Sequence, residues 1–167
     1  GPVDAETRRV LKSLPLGTEL LLDGPFGSFT LHGDATIPAV FLAGGIGVTP
    51  ARSIALQAAH DRPPPRVPLF DSNRTPADAA FLDEFTRART ANPNFMFVAT
   101  MSEPAGGDWK GETGVITGEM VRKFVTDLNA PIYYLSGPNA MVVAMRTLLE
   151  QAGVRDHMIR TEEFSGY

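Results

Sequence analysis

Phe41-Leu42-Ala43-Gly44-Gly45-Ile46-Gly47-Val48-Thr49-Pro50 joins an apolar strand to a helix through closely spaced glycines. Backbone without side chains can approach a bound group, and amides at a helix start favour an anion, so the stretch reads as a phosphate-holding loop. The common dinucleotide fingerprint is G-x-G-x-x-G; Gly45 and Gly47 match it, but Pro50 stands where the third glycine belongs. Proline lacks an N–H and has a preset φ, which suits the first turn of a helix. Val48-Thr49-Pro50 is therefore expected to open a helix with Thr49 as N-cap. No Gly-Lys-Ser/Thr follows the glycines, which excludes a Walker loop. By itself the stretch is also compatible with a glycine turn chosen only for its geometry, so the remainder of the chain decides.

From Pro38 onward apolar strands alternate with helical periods, the pattern of a parallel sheet covered by helices. Strands are expected at about 39–43, 66–71, 95–100, 131–135 and 157–161, giving an α/β fold with a five-stranded parallel sheet and helices on both faces. Thr75-Pro76-Ala77-Asp78 supplies an N-cap, a proline and an acid to one helix, with Ala80, Phe81, Phe85 and Ala88 as its inward stripe. Thr117-Gly118-Glu119 caps a second. Gly137-Pro138 opens a third, whose apolar face of Met141, Val142, Met145, Leu148 and Leu149 ends near Gly153. Before Pro38, Leu20–Asp23 and Ser28–Leu31 read as short strands around a Gly24-Pro25-Phe26-Gly27 turn. Residues 1–35 and 36–167 are thus expected to be separate units, a short β segment and an α/β domain.

The 167 residues suffice for one full domain, and 43% hydrophobic with 20% charged residues is an ordinary globular balance. A net charge of −4 without a basic run argues against nucleic acid or an anionic membrane as partner. The absence of cysteine excludes disulfides, thiolate catalysis and cysteine-ligated clusters, and His32, His60 and His157 have no metal-ligand spacing, so no metal is expected. No apolar run is long enough to span a bilayer and no signal peptide precedes the domain, so the expected location is cytoplasmic. Gly1-Pro2 reads as a protease-cleavage scar, which would make the chain a fragment. No Gly-x-Ser-x-Gly elbow supports hydrolysis at Ser72 or Ser136.

Ligands of open parallel sheets bind beyond the carboxyl ends of the strands, which singles out three loops. They are Gly44 to Pro50, Asp71-Ser72-Asn73-Arg74, and Ser136-Gly137-Pro138-Asn139. Asp71 suits an adenosine ribose and repels a 2′-phosphate, whereas Arg74 suits a 2′-phosphate, so NADH and NADPH both stay open. The polar loop from Glu103 to Asp108 is long enough to border the site, with Trp109 as its anchor or as a cover for the nucleotide.

Gly44-Gly45-Ile46-Gly47-Val48-Thr49-Pro50, Ser72-Asn73-Arg74-Thr75-Pro76 and Tyr134-Leu135-Ser136-Gly137-Pro138-Asn139-Ala140-Met141 resemble, in order and spacing, successive motifs of the ferredoxin–NADP reductase superfamily. Gly24 to Phe29 resembles the closing strands of its flavin barrel, and Glu162-Glu163-Phe164 its C-terminal end. The resemblance implies an oxidoreductase in which NAD(P)H passes hydride to FAD, which relays electrons to an acceptor such as ferredoxin, another iron–sulfur protein, a haem domain or an oxygenase. It assigns Gly44, Gly45, Gly47, Val48, Thr49 and Pro50 to the pyrophosphate, and Asp71, Ser72, Asn73 and Arg74 to the adenosine side. Gly137, Pro138, Asn139 and Met141 go to the cofactor's other half, with Ser136 at the hydride-transfer point and Phe164 by the flavin ring. Many members carry cysteine where Ser136 stands. The family's Arg-x-Tyr-Ser/Thr flavin-phosphate motif is missing, and Arg8-Arg9 are either its substitute or exposed helix residues. The alternative reading is therefore a nucleotide-sensing module without turnover.

Overall fold

The computed structural model describes residues 5–21, 23, 27–61, 67–104 and 108–164, with the backbone only at Phe164. Five strands run where the apolar periods place them: β1 (Ala39–Gly44), β2 (Val67–Asn73), β3 (Phe95–Met101), then β5 (Ile132–Pro138) and β6 (Ile159–Phe164). A two-residue edge strand, β4 (Glu112–Thr113), is a sixth that no apolar run announces. The order β4-β3-β2-β1-β5-β6 is parallel throughout, so every strand ends on the same edge.

Both faces are covered, as the alternation requires. Helix α2 (Val48–Asp61) turns Ala51, Ala55, Ala58 and Ala59 inward, small residues at helical spacing that let it lie close on Phe41, Leu69 and Tyr134. Phe85 of α3 (Leu82–Ala91) completes that face against Phe97, with ring centroids 4.9 Å apart. On the opposite face, α4 (Gly118–Phe124) and α5 (Asn139–Gln151) bury Met120, Val121, Val142, Met145 and Leu149 against Leu42, Phe70 and Leu135. Thr117 caps α4 as its sequence requires, accepting from the Met120 amide at 3.1 Å.

Two expectations are corrected here. The helix expected to run on from Thr75 is broken: Thr75 and Asp78 form a capping box around a 3-10 turn at Pro76–Asp78, and α3 starts only at Leu82. Phe81 holds the left-handed conformation at φ 62° between them, its carbonyl accepting from the Phe85 amide. It therefore leaves the inward stripe and lies half-exposed beneath the Arg52 guanidinium, 4.8 Å from the ring centroid. Ala80, Phe85 and Ala88 keep their places on the core.

Among the described residues, 18–21, 23 and 27–32 form no strand; Leu22 and the Gly24–Phe26 part of the expected turn lie outside them. Two short strands without a third have little to hold them together. Instead the segment docks on the sheet. The Tyr134 hydroxyl accepts from the His32 amide at 2.8 Å and contacts His32 Nδ1 at 2.8 Å, while Arg160 donates to the Thr30 carbonyl at 2.6 Å. Ahead of it, α1 (Ala5–Ser13) buries no residue, and Arg9 pairs with Glu6. Arg8 and Arg9 are thus exposed helix residues. Among the described residues no helix is long and apolar enough to cross a membrane.

Candidate functional site

The chain leaves β1 for one face of the sheet and β5 for the other, so their carboxyl ends flank the point at which a crevice opens in such sheets. A cleft of about 750 Å³ lies there, lined by Gly44, Gly45, Ile46, Ser72, Asn73, Arg74 and Asp78. Ser102, Val115, Ile116, Pro138, Ala140, Met141, Ala144 and Met145 complete it. Apolar carbon makes most of this wall, as in small-molecule sites that orient a ligand with a few polar groups.

The glycine loop is a 3-10 turn, Gly45–Gly47, that merges into α2. Gly45 has φ +53°, and a Cβ built on it meets nothing within 4 Å, so this backbone faces open space. Because Gly45 starts the turn early, Thr49 is not the N-cap. It lies inside the first turn, donating from Oγ1 to the Ile46 carbonyl at 2.6 Å, with Pro50 beside it. Gly47 is buried, and a Cβ there would overlap the Ser136 carbonyl and stand 2.5 Å from the Gly137 nitrogen. The two glycine loops are therefore in backbone contact, with the Met141 sulfur beneath Gly44. Met141 both packs on the core and floors the cleft.

Of the candidate side chains, Val48, Thr49, Pro50, Asp71, Ser136 and Asn139 are not among those lining this cleft. Val48, the first residue of α2, is fully buried in the core. Asp71 and Ser136 are fully buried too: β5 runs past the expected 131–135 and draws Ser136 into the sheet, while Asp71, the last residue of the expected second strand, is followed by two further residues of β2. They sit in register on either side of Ala43, on the face carrying Leu69 and Tyr134. Asp71 accepts from Asn73 Nδ2 at 2.9 Å, while its Oδ1 and the Ser136 hydroxyl have no hydrogen-bond partner among the described residues. Burial pushes the Asp71 carboxyl up to about 7, only partly opposed by the Asn73 bond.

The rim is polar. Arg74 is exposed and pairs with Glu103 at 3.4 Å, and backbone bonds from Glu103 to the Arg74 carbonyl (2.8 Å) and from Ser102 to the Asn73 carbonyl (3.0 Å) hold the two loops side by side. Asn139 donates to Glu163 at 2.6 Å, tying the start of α5 to the end of β6. Phe164 lies opposite Pro138 in the register; its side chain is outside the described residues. Trp109 anchors its loop, donating from Nε1 to the Glu112 carbonyl at 2.7 Å. Sequence reasoning missed Ile46, Asp78, Ser102, Val115, Ile116, Ala140, Ala144 and Met145 as lining residues, and the Arg74–Glu103 pair. The only signal for the pair was the length of the loop after β3.

A family model described as the oxidoreductase NAD-binding domain matches residues 41–147. The chain is 30% identical over 159 residues to a component of the Na(+)-translocating NADH-quinone reductase of Idiomarina loihiensis, covering 92% of this chain and 39% of that protein. It is 32% identical over 156 residues to the reductase component of propane 2-monooxygenase from Rhodococcus jostii, covering 91% and 42%. Among solved structures, the Amycolatopsis cytochrome P450 reductase superposes with a TM-score of 0.75 at 29% identity, over 86% of this chain and 43% of that one. The chain spans about two fifths of the length of the curated relatives it matches.

Proposed function

Because the chain belongs to the oxidoreductase NAD-binding domain family, within the ferredoxin–NADP reductase superfamily, we propose that it is the NAD(P)H-binding portion of a flavin-dependent oxidoreductase. One observation carries the reading: the large, mainly apolar cleft at the β1–β5 switch point, flanked by two glycine loops in backbone contact. The open space over Gly45 fits a pyrophosphate, which needs backbone amides at close range and no side chain between. Gly44 to Gly47 and the first turn of α2, with Thr49 and Pro50, would hold that group. Ser72, Asn73 and Arg74 would take the adenosine side, and Gly137, Pro138, Asn139 and Met141 the nicotinamide side.

Ser136, with its hydroxyl turned into the sheet, would act as a positioning residue through the carbonyl that meets Gly47. Phe164 would stand at the flavin, beside Pro138. Bound together, the nicotinamide and the flavin supply hydride chemistry, and the protein contributes alignment and exclusion of water. The electrons would then go to an iron–sulfur, haem or oxygenase partner, in keeping with the reductases that the chain resembles. The exposed Leu16, Leu20 and Leu21 are in keeping with a flavin barrel packed against that segment. The test is anaerobic mixing of NADH with a flavoprotein preparation containing this chain. Loss of oxidised-flavin absorbance that saturates with NADH is expected; saturable NADH binding with no loss of absorbance would favour the sensing module instead.

A further inference from the structure

We infer that Glu103 is a specificity-determining residue that sets the cleft against a 2′-phosphate and so selects NADH over NADPH, an inference that rests on the assignment of the cleft to a dinucleotide. Arg74 is the only cation among the described residues lining the cleft. Left alone it would be a ready partner for a phosphate, since a guanidinium pairs with two oxygens at once. It is not alone. Glu103 Oε2 lies 3.4 Å from Arg74 Nη2, and Asp78, which also lines the cleft, is fixed by its bonds from the Thr75 amide (3.2 Å) and hydroxyl (2.8 Å).

The strength of the Arg74–Glu103 ion pair is not what decides. Both side chains are mostly exposed, at 73% and 64%, and such a solvent-screened pair contributes little. What counts is that Glu103 stays beside Arg74 whether or not the side chains touch, because the Glu103 amide is bonded to the Arg74 carbonyl at 2.8 Å. A phosphate of roughly −1.5 to −2 charge arriving at Arg74 therefore meets one cation with the Glu103 carboxylate beside it, in a cleft whose lining carries a second carboxylate, Asp78. A ribose hydroxyl brings no charge and escapes this repulsion. Discrimination here comes from a repulsive element against the wrong ligand, not from an added contact to the right one.

The experiment is calorimetric titration of the whole chain with NADH and with NADPH, at low and at physiological salt, for the wild type, Glu103→Gln and Arg74→Gln. NADH is expected to bind about tenfold or more tightly than NADPH in the wild type, the scale of a single uncompensated charge contact. Glu103→Gln should tighten NADPH by about fivefold, more than any change in NADH, while Arg74→Gln weakens NADPH further. The preference should shrink as salt rises, a response that a merely structural role for Glu103 would not give. Equal or tighter NADPH binding by the wild type, or an unchanged ratio in Glu103→Gln, overturns the inference and leaves the dinucleotide site standing. Failure of both dinucleotides to bind overturns the site and the inference together.

Discussion

Alanine at position 47 is expected to lower the melting temperature by about 2–12 °C and to weaken NADH binding at least about tenfold. The side chain it adds is a single methyl group, but the atoms it meets are the Ser136 carbonyl and the Gly137 backbone, which have no rotamer to escape into. The turn at Gly45–Gly47 must lift off β5. Overpacking of this kind costs about 1–3 kcal/mol, and each kcal/mol moves the midpoint of a domain this size by roughly 2–4 °C. Lifting also separates the two loops that the proposed site needs in contact. Gly45→Ala makes the useful comparison, because its Cβ has open space and pays only for a positive φ, about 1 kcal/mol. A Gly47→Ala protein with wild-type melting and wild-type NADH affinity would contradict the geometry of this junction.

Asp71→Asn is expected to stabilise the chain at pH 8 by about 1–3 kcal/mol and to remove much of its pH dependence between pH 4 and 7. The folded carboxyl holds its proton up to about 7, while the unfolded one releases it near 3.8. Between those values unfolding releases a proton, so the folded state binds more protons and stability falls as pH rises. The slope from this group is at most about 1.4 kcal/mol per pH unit, all of the loss being in place above pH 7. Asparagine keeps the shape and cannot ionise. Its amide still leaves a donor without a partner where Asp71 Oδ1 has none, which trims the gain. Urea unfolding of both proteins at pH 5 and pH 8 measures the effect. Parallel behaviour of the two proteins across that range would show that Asp71 does not titrate with folding.

Much of the architecture was legible because a parallel sheet buried on both faces writes itself as apolar runs, and five strands and the Thr117 cap lie where those runs and residues put them. The strand ends were not legible, for a specific reason. Strands β2 and β5 are lengthened by backbone pairing to neighbours on both sides, and backbone bonds are indifferent to whether Asp71 or Ser136 is polar. Ser136 looked like a loop residue and Asp71 like the last strand residue before a loop, both aimed at a ligand, and both are inside the sheet. The N-cap was misread at Thr49 because Gly45, two residues into the loop, begins the turn before the helix signals do. β4 is too short to have a period, and Glu103 meets Arg74 only because β3 lies beside β2. The glycine loops and Arg74 do border the cleft that their sequence pointed to.

Backbone amide resonances followed during an NADH titration test most directly whether the dinucleotide lies in the cleft at the carboxyl edge of the sheet. Saturable shifts are predicted at Gly44 to Val48, at Ser72 to Arg74, at Asn139 to Met141 and at Ile116. Shifts confined to the groove at the other end of the strands, around Phe124, Asp127 and Ala130, would contradict that placement.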